Sequence, residues 1–238
     1  MSRLLSVCFR VACFAFFTFV CCRLHTIRYG HAWFSSKSFS EMTIHLTFLV
    51  LVLEAAYFAL ATPLQILSSG NLQGHVYCSM LTLSLFVFLL FWSIFLYDKD
   101  LLINPEVRRF FPYWLNHAAH SAGVVSILAD CVLWKPSVGS SRLSFAIVGT
   151  LGVAYNFYAE YLIHVHGIYP YPMFAQLSGF GRCVLYGASW ALLFVCFLVC
   201  YQFTYRMGGR AKIVSCSHSG RRVKSNKASG ELGSVKAE

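Results

Sequence analysis

Residues 46–53 read L-T-F-L-V-L-V-L, inside an apolar run that extends over 42–62 and ends at Pro63. About 20 such residues form a helix long enough to cross a hydrocarbon core of roughly 30 Å. The run is one of about six, predicted as helices at 4–22, 42–62, 79–97, 114–134, 143–164 and 183–204. The sequence therefore predicts an all-α membrane protein, a bundle of about six transmembrane helices over 1–206. A polar, basic tail over 207–238 follows, whose Gly, Ser, Lys and Arg content predicts disorder.

Composition supports this frame. The 238 residues are 58% hydrophobic and 12% charged, against about 25% charged in a soluble domain. Mean hydropathy is +0.62. No room remains for a separate soluble domain. The net charge of +10 lies in loops and the tail, where it sets topology and meets anionic membrane lipids; no nucleic-acid partner is expected. Counted by side, the basic residues favour cytoplasmic termini. Most of the ten cysteines sit inside apolar runs without a C-x-x-C pair, so no disulfide framework is legible.

Punctuation marks the boundaries. Pro63 is expected to close the second helix, with Ser68–Asn71 as a turn. Pro105 and Pro112 bracket the link before the fourth helix, and Lys135-Pro136 ends it. The first run has the outline of a signal peptide, but Arg10 interrupts it and no small-residue cleavage site follows. Neither an internal repeat nor a broken helix is legible, which counts against a transporter.

Thr47 and His120 each lie a few residues into an apolar segment. Polar groups inside a membrane helix are functional candidates, because hydrocarbon offers them no partner. With alternating spans, helices two and four run in the same direction. At 1.5 Å per residue, both side chains lie about 7–9 Å below one surface. A hydroxyl and an imidazole at one depth suggest a nucleophile and its general base. Other polar residues are expected at this end: Tyr97, Asp98, Asn116, His117, Glu160, His164 and Arg182.

A threonine hydroxyl needs a base within about 3 Å during attack, and the base needs a third group to fix its tautomer. Asn116 through its amide oxygen, or Asp98 or Glu160 through a carboxylate, can hold His120. Asn116, His117 and Tyr97 are candidate oxyanion donors. Each residue also has a plainer reading. An intramembrane threonine commonly donates to its own i−4 carbonyl, a histidine near the interface commonly packs, and Thr43 offers another hydroxyl. A metal site would draw on His117, His120, His164 and His166, but the histidine clusters of membrane di-iron oxidases are missing. No metal or cofactor is expected. Glu54, near the midplane, has no partner legible in the sequence.

Four stretches carry a resemblance: L-T-F at 46–48, F-W-S-I-F-L-Y-D at 91–98, P-Y-W-L-N-H-A-A-H-S at 112–121 and H-G-I-Y-P-Y-P at 166–172. In their order and spacing the chain resembles the family of androgen-induced protein 1 and androgen-dependent TFPI-regulating protein. The resemblance implies an atypical threonine hydrolase of fatty acid esters of hydroxy fatty acids. It puts the catalytic threonine at Thr47 and the catalytic histidine at His120, not His117. Ser121 replaces an expected threonine, and the segment around 155–165 diverges. The expectation is a membrane-embedded lipid ester hydrolase of the endomembrane system or plasma membrane, with Arg182 or Arg109 holding a substrate carboxylate. The alternative is a non-catalytic lipid-binding or regulatory membrane protein.

Overall fold

A computed structural model describes residues 3–29, 42–67, 71–109, 111–136 and 138–208. The tail beyond Gly208, the loop basic residues Lys37 and His31, and the expected turn at residues 68–70 lie outside the described residues. Long helices stand where the sequence predicts them: α1 (Arg3–Tyr29), α2 (Leu46–Leu67), α3 (Asn71–Tyr97), the pair α5 (Tyr113–His120) and α6 (Ala122–Trp134), α7 (Ser141–Tyr161) and α9 (Gly179–Gly208). Short helices α4 (Pro105–Arg108) and α8 (Pro172–Gln176) lie in the connections. Among the described residues α1, α2, α3 and α9 are each long and apolar enough to cross a membrane, and α5–α6 is a fifth span if the bent pair is taken as one. Helix α7 has 21 residues, but Arg142, Asn156 and Glu160 dilute its apolar character.

The outer surface confirms the solvent. Phe19, Phe157, Val184 and Val195 are exposed on the flanks of the bundle, an apolar exterior that suits lipid. This is an integral membrane protein. Inside, the rings of Phe17 and Phe58 stack at 5.6 Å between α1 and α2, with Leu51, Leu115 and Ile127 fully buried around them. The first helix is thus an integral part of the bundle.

Buried charge is paired, as hydrocarbon requires. Arg10 on α1 donates to Asp130 on α6 through Nε at 2.7 Å and a second guanidinium nitrogen at 3.2 Å, and the Tyr57 hydroxyl donates to the same carboxylate at 2.6 Å. Glu54 on α2 accepts from Ser84 on α3 at 2.6 Å. It lies so close to Gly123 on α6 that a Cβ there would fall 1.8 Å from its Oε1.

Three boundaries depart from expectation. Helix α2 continues through Pro63 to Leu67, because a proline one turn from a helix end removes a single hydrogen bond. Helix α3 begins eight residues earlier than hydropathy suggests, since its polar first turns are buried: His75 Nδ1 pairs with Ser144 at 2.8 Å, and Gln73 donates to the Ala61 carbonyl. The fourth span, expected unbroken, bends by 46° between His120 and Ala122. At the bend the Trp92 indole donates to Ser121 at 3.0 Å.

Candidate active site

One cavity of about 460 Å³ opens where the spans converge at the end opposite the termini. Its walls include Leu24 near the end of α1, Thr47 and Phe48 at the start of α2, Phe91 late in α3, Asn116 and His120 on α5, and Tyr169–Pro172 after α7. Helices α2 and α5 therefore begin at the same end of the bundle. Helix α2 starts at Leu46 and not at 42, so Thr47 is its second residue while His120 is the eighth of α5; counted from the helix starts the two are not at equal depth, yet both side chains border one space.

His120 is 9% exposed and stacks on Phe91 with ring centroids 3.3 Å apart. Its Nδ1 lies 2.8 Å from the backbone carbonyl of Asn116. A carbonyl only accepts, so Nδ1 carries the proton and Nε2 is left as the acceptor. The sequence suggests the Asn116 amide, Asp98 or Glu160 for this task; the carbonyl one turn back performs it, because a helical side chain leans toward the preceding turn. The Asn116 side chain borders the cavity, and its buried Oδ1 has no hydrogen-bond partner.

Four other threonines have hydroxyls engaged away from the cavity. Thr26, Thr82 and Thr204 each donate to the carbonyl four residues back, at 2.8, 2.8 and 2.6 Å. Thr43 pairs with Tyr158 at 3.1 Å. Thr47 is the second residue of α2, with only a turn behind it. Its hydroxyl meets that of Tyr171, which also contacts the backbone of Leu46 and Thr47 and the Tyr155 hydroxyl. Tyr155 in turn donates to the Ile44 carbonyl at 3.1 Å. Of the first-turn N–H groups, those of Phe48 and Leu49 donate to the His45 carbonyl at 3.0 and 3.2 Å, so the donors at Tyr171 are the N–H groups of Leu46 and Thr47.

Tyr171 is absent from the sequence-based candidates. It comes from the Y-P-Y-P segment after α7, and only the Pro-rich match at 166–172 hinted that this loop matters. Several candidates stand elsewhere. His117 is exposed on the outer face of α5, against Trp92 and Tyr113 at 4.8 Å each. Tyr97 is 86% exposed, and Asp98 caps the short turn that follows α3 by accepting from the Asp100 N–H. Neither borders the cavity. Glu160 accepts from Arg182 at 3.1 Å and from Tyr186 at 2.8 Å, and pairs with His164 at 3.0 Å. Arg182 is thus committed to Glu160 and is not available to a substrate carboxylate. Arg109 is exposed, close in sequence to Val107 and Phe111, which line the cavity. Among the described residues no three His, Cys, Asp or Glu side chains are grouped to hold a metal.

A second, narrower cavity of about 140 Å³ runs into the bundle between α2, α3, α7 and α9. Thr47, Phe91, Leu102 and Tyr171 border both spaces, whereas His120 borders only the wider one.

Comparison with known proteins now decides the family. The model of the FAR-17a/AIG1-like proteins matches residues 2–205. The chain belongs to that family. It is 32% identical to the androgen-dependent TFPI-regulating protein of Rattus norvegicus over 159 residues, 62% of this chain and 69% of that one. It is 34% identical to the Homo sapiens protein of the same name over 46% of this chain and 48% of that one. To the androgen-induced gene 1 protein of Homo sapiens it is 24% identical, over 62% of this chain and 70% of the relative. No solved structure matches.

Proposed function

We propose that this protein is a membrane-embedded carboxylic ester hydrolase of fatty acid esters of hydroxy fatty acids, with Thr47 as nucleophile and His120 as general base. One juxtaposition supports the reading most. Thr47 and His120, from different helices, border one cavity, and the Nδ1–Asn116 carbonyl contact leaves His120 Nε2 as an acceptor.

The scheme needs no cofactor. Thr47 Oγ1 attacks the ester carbonyl carbon as its proton passes to His120 Nε2. Charge gathers on the carbonyl oxygen, where the Tyr171 hydroxyl and the first-turn N–H groups of α2 can donate. The bond to the hydroxy fatty acid breaks, and His120 returns the proton to the departing oxygen. Water then attacks the acyl-threonine, its proton passing through His120 to Thr47 Oγ1 as the fatty acid leaves. On this reading Arg109, at the cavity rim, attracts the free carboxylate of the substrate. The partners are the lipid ester and the surrounding membrane lipids. With cytoplasmic termini, as the basic residues favour, the cavity faces the lumen or the cell exterior.

The test is a side-by-side assay of purified protein in detergent on branched fatty acid esters and triglycerides. The expected result is hydrolysis of the branched esters, abolished by Thr47→Ala and by His120→Ala with helicity retained. The largely apolar walls also suit lipid binding without chemistry, the reading that remains if the wild type binds these esters and hydrolyses none.

A further inference from the structure

The division of space around Thr47 has a chemical direction. Resting on the Thr47–His120 mechanism, we infer that the acyl chain transferred to Thr47 lies in the narrow inner cavity, and that the departing hydroxy fatty acid lies in the wide outer cavity.

Three observations carry this. First, Thr47 and Tyr171 border both cavities, so an ester carbonyl attacked there sits at their junction with one arm on each side. The group that accepts the threonine proton must return it to the departing oxygen, which therefore lies on the histidine side. His120 borders the outer cavity and not the inner one. Second, the arms differ in shape. An acyl chain is a single unbranched strand, while a hydroxy fatty acid bears its oxygen along the chain and so presents two limbs. The forked arm needs the larger of the two spaces, and the outer cavity is the larger at about 460 Å³ against about 140 Å³. Third, polarity agrees. The inner cavity is walled mostly by apolar side chains such as Val50, Leu53, Val87 and Leu193, with Asn156 and Ser189 among them, whereas the outer one gathers His45, Asn104, Asn116 and His120. A carboxylate needs such polar surroundings; a methyl terminus does not.

The consequence is a separation of specificity. Acyl length is read by α3, α7 and α9, and the position of the branch and carboxylate is read by residues 102–119. Gly152 belongs to the inner wall, where a Cβ would come 3.1 Å from the Trp190 ring.

The experiment uses two isomeric branched esters, one with a photoreactive diazirine at the acyl tip and one with it at the methyl tip of the hydroxy acid. Each is irradiated with full-length Thr47→Ala protein in detergent, and the labelled peptides are mapped. Acyl-tip labels on α3, α7 or α9, with hydroxy-acid labels on 102–119, are expected. Reversed labels, or both labels in one region, overturn the assignment. Hydrolysis by the wild type is measured in parallel on the unmodified ester. An active wild type with reversed labels defeats the arm assignment alone, and an inactive wild type with segregated labels defeats the hydrolase reading alone. In a second arm, Val87→Trp should lower kcat/KM about tenfold or more on palmitoyl esters and by a smaller factor on butyryl esters. Ile103→Trp should discriminate among hydroxy acids and leave acyl length preference unchanged. Equal responses of both variants to acyl length count against the inference.

Discussion

Replacing Gly123 with alanine tests whether one helix contact sets the geometry of the site. Thr47 and Glu54 are seven residues apart, two turns along one face of α2; His120 and Gly123 are three apart on the fourth span. The Glu54–Gly123 contact therefore fixes the register of the helices that carry the two reacting groups. An added Cβ would lie 1.8 Å from Glu54 Oε1 and 2.5 Å from its carboxyl carbon, against the 3.4 Å at which ordinary contact begins. The clash has two outlets. If the carboxyl swings away, it leaves Ser84, and a buried polar group without its bond costs about 1–3 kcal/mol. If α2 and α6 part by more than about 1 Å, hydrolysis falls about a hundredfold, the usual effect of such a misplacement. Thermal unfolding in detergent reads the first outcome and kcat on the branched ester reads the second. Adding Glu54→Ala removes the obstructing atoms, so Gly123→Ala/Glu54→Ala should recover what Gly123→Ala lost beyond the cost of Glu54→Ala alone. Wild-type stability and wild-type rate in Gly123→Ala would refute the claim that this contact sets the register.

Tyr171→Phe should lower kcat about 10²–10³-fold with little change in KM, the effect of removing one oxyanion donor; a change in KM alone would make Tyr171 a binding residue. His117→Ala should retain most activity, since its ring faces outward, and an effect equal to that of His120→Ala would mean the base is misassigned. Arg109→Ala should raise KM for carboxylate-bearing esters and leave neutral esters unchanged, whereas Arg182→Ala should chiefly lower stability by freeing Glu160; the opposite split in a kinetic and thermal comparison would return the carboxylate role to Arg182. Asp130→Ala should destabilise the fold by about 3–5 kcal/mol because it removes the carboxylate of a buried ion pair with Arg10, and Arg10→Met/Asp130→Leu should recover much of it in denaturant titrations.

The span pattern was legible because lipid demands long apolar runs: five of the six runs became single helices, and the fourth became the bent pair α5–α6. That Thr47 and His120 stand toward one end of the bundle was legible from the alternation of spans, but the count of residues into each helix was not, because α2 starts at Leu46. Arg10 and Asp130 were each visible as charges inside apolar runs, and hydrocarbon requires such charges to pair, yet their match across 120 positions depends on packing. The start of α3 was hidden because Gln73 and His75 look like loop residues until Ala61 and Ser144 are seen to pair with them. Tyr171 was hidden because its position over the first turn of α2 is set by the path of the loop after α7. The Glu160–Arg182 pair was hidden because it joins α7 to α9, a match that depends on packing.

The central claim is that the Thr47 hydroxyl is a nucleophile activated by His120. Fluorophosphonate labelling of the purified protein, followed by peptide mapping, tests it most directly. The account predicts one covalent adduct on Thr47, lost in Thr47→Ala, strongly slowed in His120→Ala and blocked by a branched ester. Hydrolysis of that ester with no adduct at Thr47, or an adduct that forms equally fast in His120→Ala, would contradict it.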